Sequence, residues 1–159
     1  HFDQRLERPQ TLAANRFLQA RQTPIDLVVP IDSSSETRQK FSTASYWGKL
    51  FYSNMTILEV KKSDKGDDAR MPHVYAIQAN NYMVEKGLRT KVVDLGATTE
   101  VVKSILDQSK DFRSKWITVM GNREGMLRVS AIQTICENAT CPLLVIPYRE
   151  PIGMGGSGY

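Results

Sequence analysis

Lys115–Tyr148 reads KWITVMGNREGMLRVSAIQTICENATCPLLVIPY, and this stretch decides the fold. Ile117, Thr118, Val119 and Met120 form a short β-type run that stops at Gly121. A polar turn, Gly121 to Gly125, follows. Val129, Ala131, Ile132, Ile135 and Cys136 then recur as one face of a helix. Pro142 introduces a second apolar run, Leu143 to Ile146, with no polar alternation, as expected for a strand covered on both faces of a parallel sheet. The order is strand, glycine turn, helix, strand. Such a turn lies where the carboxyl end of a strand meets a helix N-terminus, the usual ligand position of open α/β sheets.

Working outward, the same unit repeats. Ile25 to Ile31 is an apolar strand interrupted only by Asp26, and it ends in Asp32-Ser33-Ser34-Ser35-Glu36. Ser33 with Glu36 fits a capping box, which predicts a helix from there to about Phe51 with Phe41, Ala44, Leu50 and Phe51 inward. Met55 to Val60 is a second strand, and the charged run Lys61 to Arg70 reads as an exposed loop. A helix over about Pro72 to Lys86 would bury Ala76, Ile77, Met83 and Val84 and end at Gly87, with His73 as a surface residue of its first turn. Leu88 to Leu95 is a third strand, and Gly96 to Glu100 turns into a helix burying Val101, Val102, Ile105 and Leu106. Alternation of this kind predicts one α/β domain, an open five-stranded parallel sheet with helices on both faces.

Composition bounds the rest. The 159 residues are 41% hydrophobic and 24% charged, enough for a core in one domain. The net charge of +4 is mild and the basic residues are scattered, so no nucleic-acid partner is expected. Cys136 and Cys141 are too few for a disulfide framework and lack zinc spacing, and read as two half-buried thiols in a reducing compartment. Asn54-Met-Thr56 and Asn138-Ala-Thr140 fit the glycosylation sequon but abut core elements, and are read as chance. No signal-peptide pattern opens the given sequence, and no apolar run in it reaches membrane length. Residues 1–24 divide from the domain as a basic helical linker: Gln10 to Gln22 favours helix, with Leu12, Ala13, Phe17 and Ala20 apolar, between Pro9 and Pro24. It would pack on the domain or a partner chain, or lead in from another domain. Residues 25–150 form the domain, and the glycine-rich 151–159 is expected to be a flexible tail.

Val119-Met120-Gly121, Val129-Ser130-Ala131 and Cys141-Pro142-Leu143-Leu144-Val145-Ile146 resemble the C-terminal part of the universal stress protein family. There a "VMG" strand end precedes a phosphate loop, a Gly-Ser opens a helix, and the helix leads into "CPVLVV". The resemblance spans roughly Pro24 to Pro147. It implies the adenine-nucleotide alpha-hydrolase-like layering, strand order 3-2-1-4-5, and a crevice between strands 1 and 4. It further implies a site for ATP or another adenine nucleotide made by Asp32, Val60, Met120, Gly121, Gly125 and Ser130. Asp32 stands where the family's acid contacts adenosine; read locally, it favours the helix N-terminus and accepts backbone N–H bonds.

The middle of the loop departs from the family. ATP-binding members carry Gly, two residues, Gly, nine residues, Gly, then Ser or Thr. Gly121 fits the first, but Glu124 and Val129 stand at the second and third. Gly121 to Ser130 is 9 positions, against about 14 in a motif that wraps phosphates with backbone N–H groups. Glu124 adds charge of the wrong sign, partly offset by Arg123 and Arg128. Weak nucleotide binding with no retained cofactor is therefore expected. Ser33, Ser34 and Ser35 have no His nearby in sequence, so no nucleophile–base pair is visible and catalysis is not expected.

These observations lead to the expectation of a non-catalytic regulatory or association domain. Related domains occur as cytoplasmic tails of membrane cation/proton antiporters, and the His1 start with its basic lead-in would suit a fragment of one, with the antiporter's membrane domains as partners. The alternatives are a free-standing ATP-binding stress protein with slow hydrolysis and a nucleotide-dependent enzyme of related fold. The family also implies a homodimer through the fifth strand.

Overall fold

The computed structural model describes residues 25–110, 115–121 and 129–149. The proposed linker 1–24, the tail 151–159 and Gly125 lie outside them. Among the described residues, β1 (Asp26–Ile31) leads through a 3-10 turn (Ser35–Gln39) into α1 (Lys40–Leu50). Then come β2 (Asn54–Lys61), α2 (Asp67–Glu85), β3 (Arg89–Ala97), α3 (Val101–Ser109), β4 (Lys115–Met120), α4 (Val129–Asn138) and β5 (Leu143–Ile146). The five strands are parallel, as the alternation predicts, in the order β3-β2-β1-β4-β5 that the family resemblance implies.

β1 has neighbours on both sides and is covered on both faces, which is why its sequence shows no alternation. Leu27, Val29 and Ile31 meet Met55 and Ile57 of β2, Phe41 and Ala44 of α1 and Ala76, Ala79 and Met83 of α2. Val28 joins the opposite core with Leu58, Val60, Ile105, Ile117, Val119 and Ile135. Gly48 lets α1 approach β2 closely: a Cβ there would lie 2.7 Å from Met55 Sδ. Cys141 is buried while Cys136 is exposed, so the thiols are not both half-buried. Burial pushes the Cys141 thiol above its ordinary pKa.

Several local expectations are corrected. The capping box does not form: Ser34 is the N-cap and makes no side-chain cap bond. Instead Asp32 Oδ1 accepts from Ser34 N–H (3.0 Å) and Ser34 Oγ–H (2.7 Å). A carboxylate is a stronger acceptor than a hydroxyl, so the Asx-type turn prevails. α2 starts at Asp67, inside the expected loop, with Asp67 and Asp68 favouring its N-terminal dipole. Pro72 lies within it and is buried. Ile77 and Val84 are exposed, because Tyr75 and Ala79 complete the buried stripe with Ala76 and Met83. Leu50 is likewise exposed.

α1 ends in a Schellman motif. Ser53 N–H donates to Gly48 O (2.7 Å) and Tyr52 N–H to Lys49 O (3.2 Å). Its left-handed position belongs to Tyr52, at φ 54°, where glycine is usual. A β-carbon there costs about 1–2 kcal/mol. Tyr52→Gly should therefore raise the unfolding free energy by about 1 kcal/mol in denaturant titration. An unchanged or lowered midpoint would mean that the ring contributes more to stability than its backbone costs.

Candidate functional site

β1 pairs with β2 along Leu27 to Ile31, but with β4 only along Asp26 to Val28. Beyond that point β1 and β4 part, and the gap at their carboxyl ends is a cavity of about 160 Å³. Thr118 Oγ1 on β4 donates to Val28 O at 3.1 Å. Even-numbered residues of β1 thus present their backbone groups toward β4. The next of them, Pro30, has no N–H to continue the ladder. Its carbonyl accepts from Lys40 Nζ at 2.6 Å.

Of the residues singled out from sequence, Asp32, Val60, Met120 and Gly121 line this one cavity. Gly125 is outside the described residues. Ser130 belongs to the first turn of α4 by its backbone, and its side chain is outside the described residues. Asp32 directly follows β1, and its two bonds with Ser34 hold it where it lines the cavity. Val102 and Ile105 of α3 and Ala131 and Ile132 of α4 give the cavity apolar walls, and its polar groups gather near the β1 end. Apolar walls with few converging polar groups suit a small organic ligand.

Gly121 N–H donates to Ile146 O at 2.7 Å. The first amide of the glycine turn is therefore committed to β5. A phosphate could use that particular amide only by displacing this bond.

Other lining residues were not singled out as site residues from sequence. Lys40 is only 7% exposed and reaches over the cavity floor. Thr37 is buried one helical turn before it, and its Oγ1 has no hydrogen-bond partner. The signal was present: Thr37, Lys40 and Ala44 share one face of the turn and helix, so a lysine stands in an apolar stripe. Thr118 sits within β4 and bonds across the gap. Tyr148 lines the mouth because the chain leaving β5 is tied back to the start of α1: Gln39 Nε2 donates to Arg149 O and Arg149 N–H to Gln39 Oε1, both at 2.9 Å.

Beside the cavity, a charged network braces the end of β2. The buried Glu59 contacts His73 Nδ1 at 2.8 Å and pairs with Lys61 Nζ at 3.2 Å; Lys61 Nζ also donates to Asp94 Oδ2 at 2.7 Å. His73 is thus a surface residue anchored to a buried carboxylate. The bond from Lys61 holds the Asp94 carboxyl below its ordinary pKa, and the same bond holds the Lys61 ammonium above its own. Among the described residues no cluster of His, Cys, Asp or Glu fits a metal ion.

If Asp32 acts on its own turn as these bonds indicate, Asp32→Ala should lower the unfolding free energy by about 1–3 kcal/mol. Unfolding midpoints of the two proteins provide the check; no change would leave Asp32 without a structural role.

A scan against protein-family models gives no match, and neither does a search of curated proteins. Solved structures do match. The universal stress protein from Archaeoglobus fulgidus has a TM-score of 0.64 at 16% identity, over 77% of this chain and 93% of that one. The same organism's protein in complex with dAMP gives 0.61 at 14%, over 77% and 97%. A universal stress protein in complex with cAMP gives 0.60 at 11%, over 79% and 98%. At these identities the likeness is one of fold: the chain has a universal stress protein-like fold.

Proposed function

We propose that this is a non-catalytic regulatory or association domain whose crevice takes an adenine nucleotide weakly. The observation that carries this reading is the Gly121 N–H, already bonded to Ile146 O at 2.7 Å in a turn too short to wrap a triphosphate. Glu124 and Val129, standing where phosphate-loop glycines would, point the same way. In the finer form of the proposal, the domain is the cytoplasmic part of a membrane cation/proton antiporter. Among the described residues no helix is long and apolar enough to cross a membrane. The antiporter form therefore requires apolar segments of about 20 residues encoded upstream of His1. The second reading, a free-standing ATP-binding protein with slow hydrolysis, draws support from relatives solved with dAMP and cAMP. It also draws on the meeting of Asp32, Val60, Met120 and Gly121 in one cavity.

Calorimetric titration with Mg-ATP separates the two. The first reading expects a dissociation constant weaker than about 100 μM, or about −5.5 kcal/mol. Micromolar binding, or ATP retained through purification, would replace it with the second.

The association role has a candidate surface. β5 pairs only with β4 among the described strands, and Val145 is 52% exposed. An apolar edge of this kind is either covered or used for pairing. Pro142 and Pro147 bracket the four residues of β5 and limit any ladder to them. We infer a two-fold contact of β5 with its mate, enlarged by neighbouring groups such as Tyr148. Sedimentation at about 100 μM should show a dimer that Val145→Lys converts to folded monomer. A wild-type monomer at that concentration would remove the dimer.

A further inference from the structure

At the other end of the sheet, where the strands begin, aromatic side chains gather with no role in the crevice. Tyr46, Trp47 and Phe51 of α1 and its cap continue to Trp116 of β4, with ring centroids 5.7, 5.5 and 5.0 Å apart in succession. Trp47 and Trp116 are only partly buried against the core. Tyr46 is 65% exposed and Tyr52 81%, and Leu50, one turn after Tyr46, is exposed too. A contiguous apolar surface of this kind marks a contact site. Tyr52 adds an independent sign. It holds an exposed ring in a left-handed backbone conformation that glycine would take without strain. Strain of this kind is characteristic of functional positions.

The start of the described chain names the occupant. Leu27 stands opposite Trp116 in the sheet register, and Asp26 opposite Lys115. The 24 residues before Ile25 therefore join the domain beside the patch. Thr23 and Pro24 separate the domain from Gln10–Gln22, whose Leu12, Ala13, Phe17 and Ala20 form one apolar side of a helical pattern. Thirteen residues of helix measure about 20 Å, enough to run along the whole ring ladder. Arg16 and Arg21 flank Phe17 and Ala20, and guanidinium planes stack well on tyrosine faces.

We propose that residues 10–22 dock as an amphipathic helix on the patch of Tyr46, Trp47, Leu50, Phe51, Tyr52 and Trp116. The chain's own lead-in thereby becomes a rigid stem at the end of the domain opposite the crevice. This holds whether or not the crevice takes a nucleotide.

The test is spectroscopic, because Trp47 and Trp116 are the only two tryptophans of the chain and both belong to the patch. In the full chain, the double variant Leu12→Glu/Phe17→Glu should red-shift tryptophan emission and raise acrylamide quenching about twofold. Far-UV dichroism should retain the sheet signal. Leu50→Glu, an exposed position whose loss should leave the core intact, should speed tryptic cleavage at Arg16 and Arg21 relative to wild type. Emission, quenching and cleavage all unchanged would overturn the proposal. Wild-type emission that blue-shifts between about 1 and 100 μM protein would overturn it in favour of a second copy on the patch. Wild-type emission that is solvent-like in buffer and blue-shifts only with phosphatidylcholine–phosphatidylserine vesicles would overturn it in favour of a membrane surface.

Discussion

A proline without an N–H sits in the central strand, and the crevice depends on it. Val28 and Pro30 face β4; Ile31 faces β2. Val28 lies in the last pair of the β1–β4 ladder, and Pro30 cannot donate to extend it. Two side chains answer the backbone carbonyls along the parting strands: Thr118 Oγ1 bonds Val28 O and Lys40 Nζ bonds Pro30 O. Buried carbonyls require such partners. The lysine is therefore explained by the backbone it serves, and the carbonyls of Val28 and Pro30 both have partners where the strands part.

The two cores divide the labour around this gap. The α1/α2 face is packed continuously by Leu27, Val29 and Ile31 and anchors the sheet. The α3/α4 face also closes over Val28 and Ile117, but Val102, Ile105 and Ile132 border open space at the carboxyl ends. Burial thus fixes the shape of the cavity, while its chemistry comes from a few groups at the ends of β1 and β4. β5 closes the far side by taking the Gly121 amide, and the Gln39–Arg149 pair carries Tyr148 back across the mouth.

Much of this was legible because it depends on local pattern. Uniform apolar runs in β1 and β5, glycine at Gly87 and the Lys115–Tyr148 unit specify a parallel α/β sheet by themselves. The family resemblance supplied the strand order. Pro30 was also visible, but its effect depends on which neighbour its missing N–H would face, and that is set by register. Ser33 and Glu36 formed a plausible capping box that lost to the stronger acceptor Asp32, a competition that spacing alone does not decide. Ile77 and Val84 satisfied a periodicity of seven yet face solvent, since the 19-residue α2 begins earlier and buries the adjacent stripe. Gln39 and Arg149 are 110 positions apart, beyond the reach of local pattern. The affinity of the crevice is a matter of loop geometry and charge, and it is open to direct measurement.

If the proposed reading holds, the shortened turn contributes nothing to holding phosphates. Amide chemical-shift titrations of the domain with adenosine and with ATP isolate that contribution, because the two ligands differ only in the triphosphate. Dissociation constants within about threefold of each other are expected, with shifts at Ser34, Val60 and Thr118 in both. ATP binding tighter than adenosine by about tenfold or more, equivalent to about 1.4 kcal/mol, would contradict it.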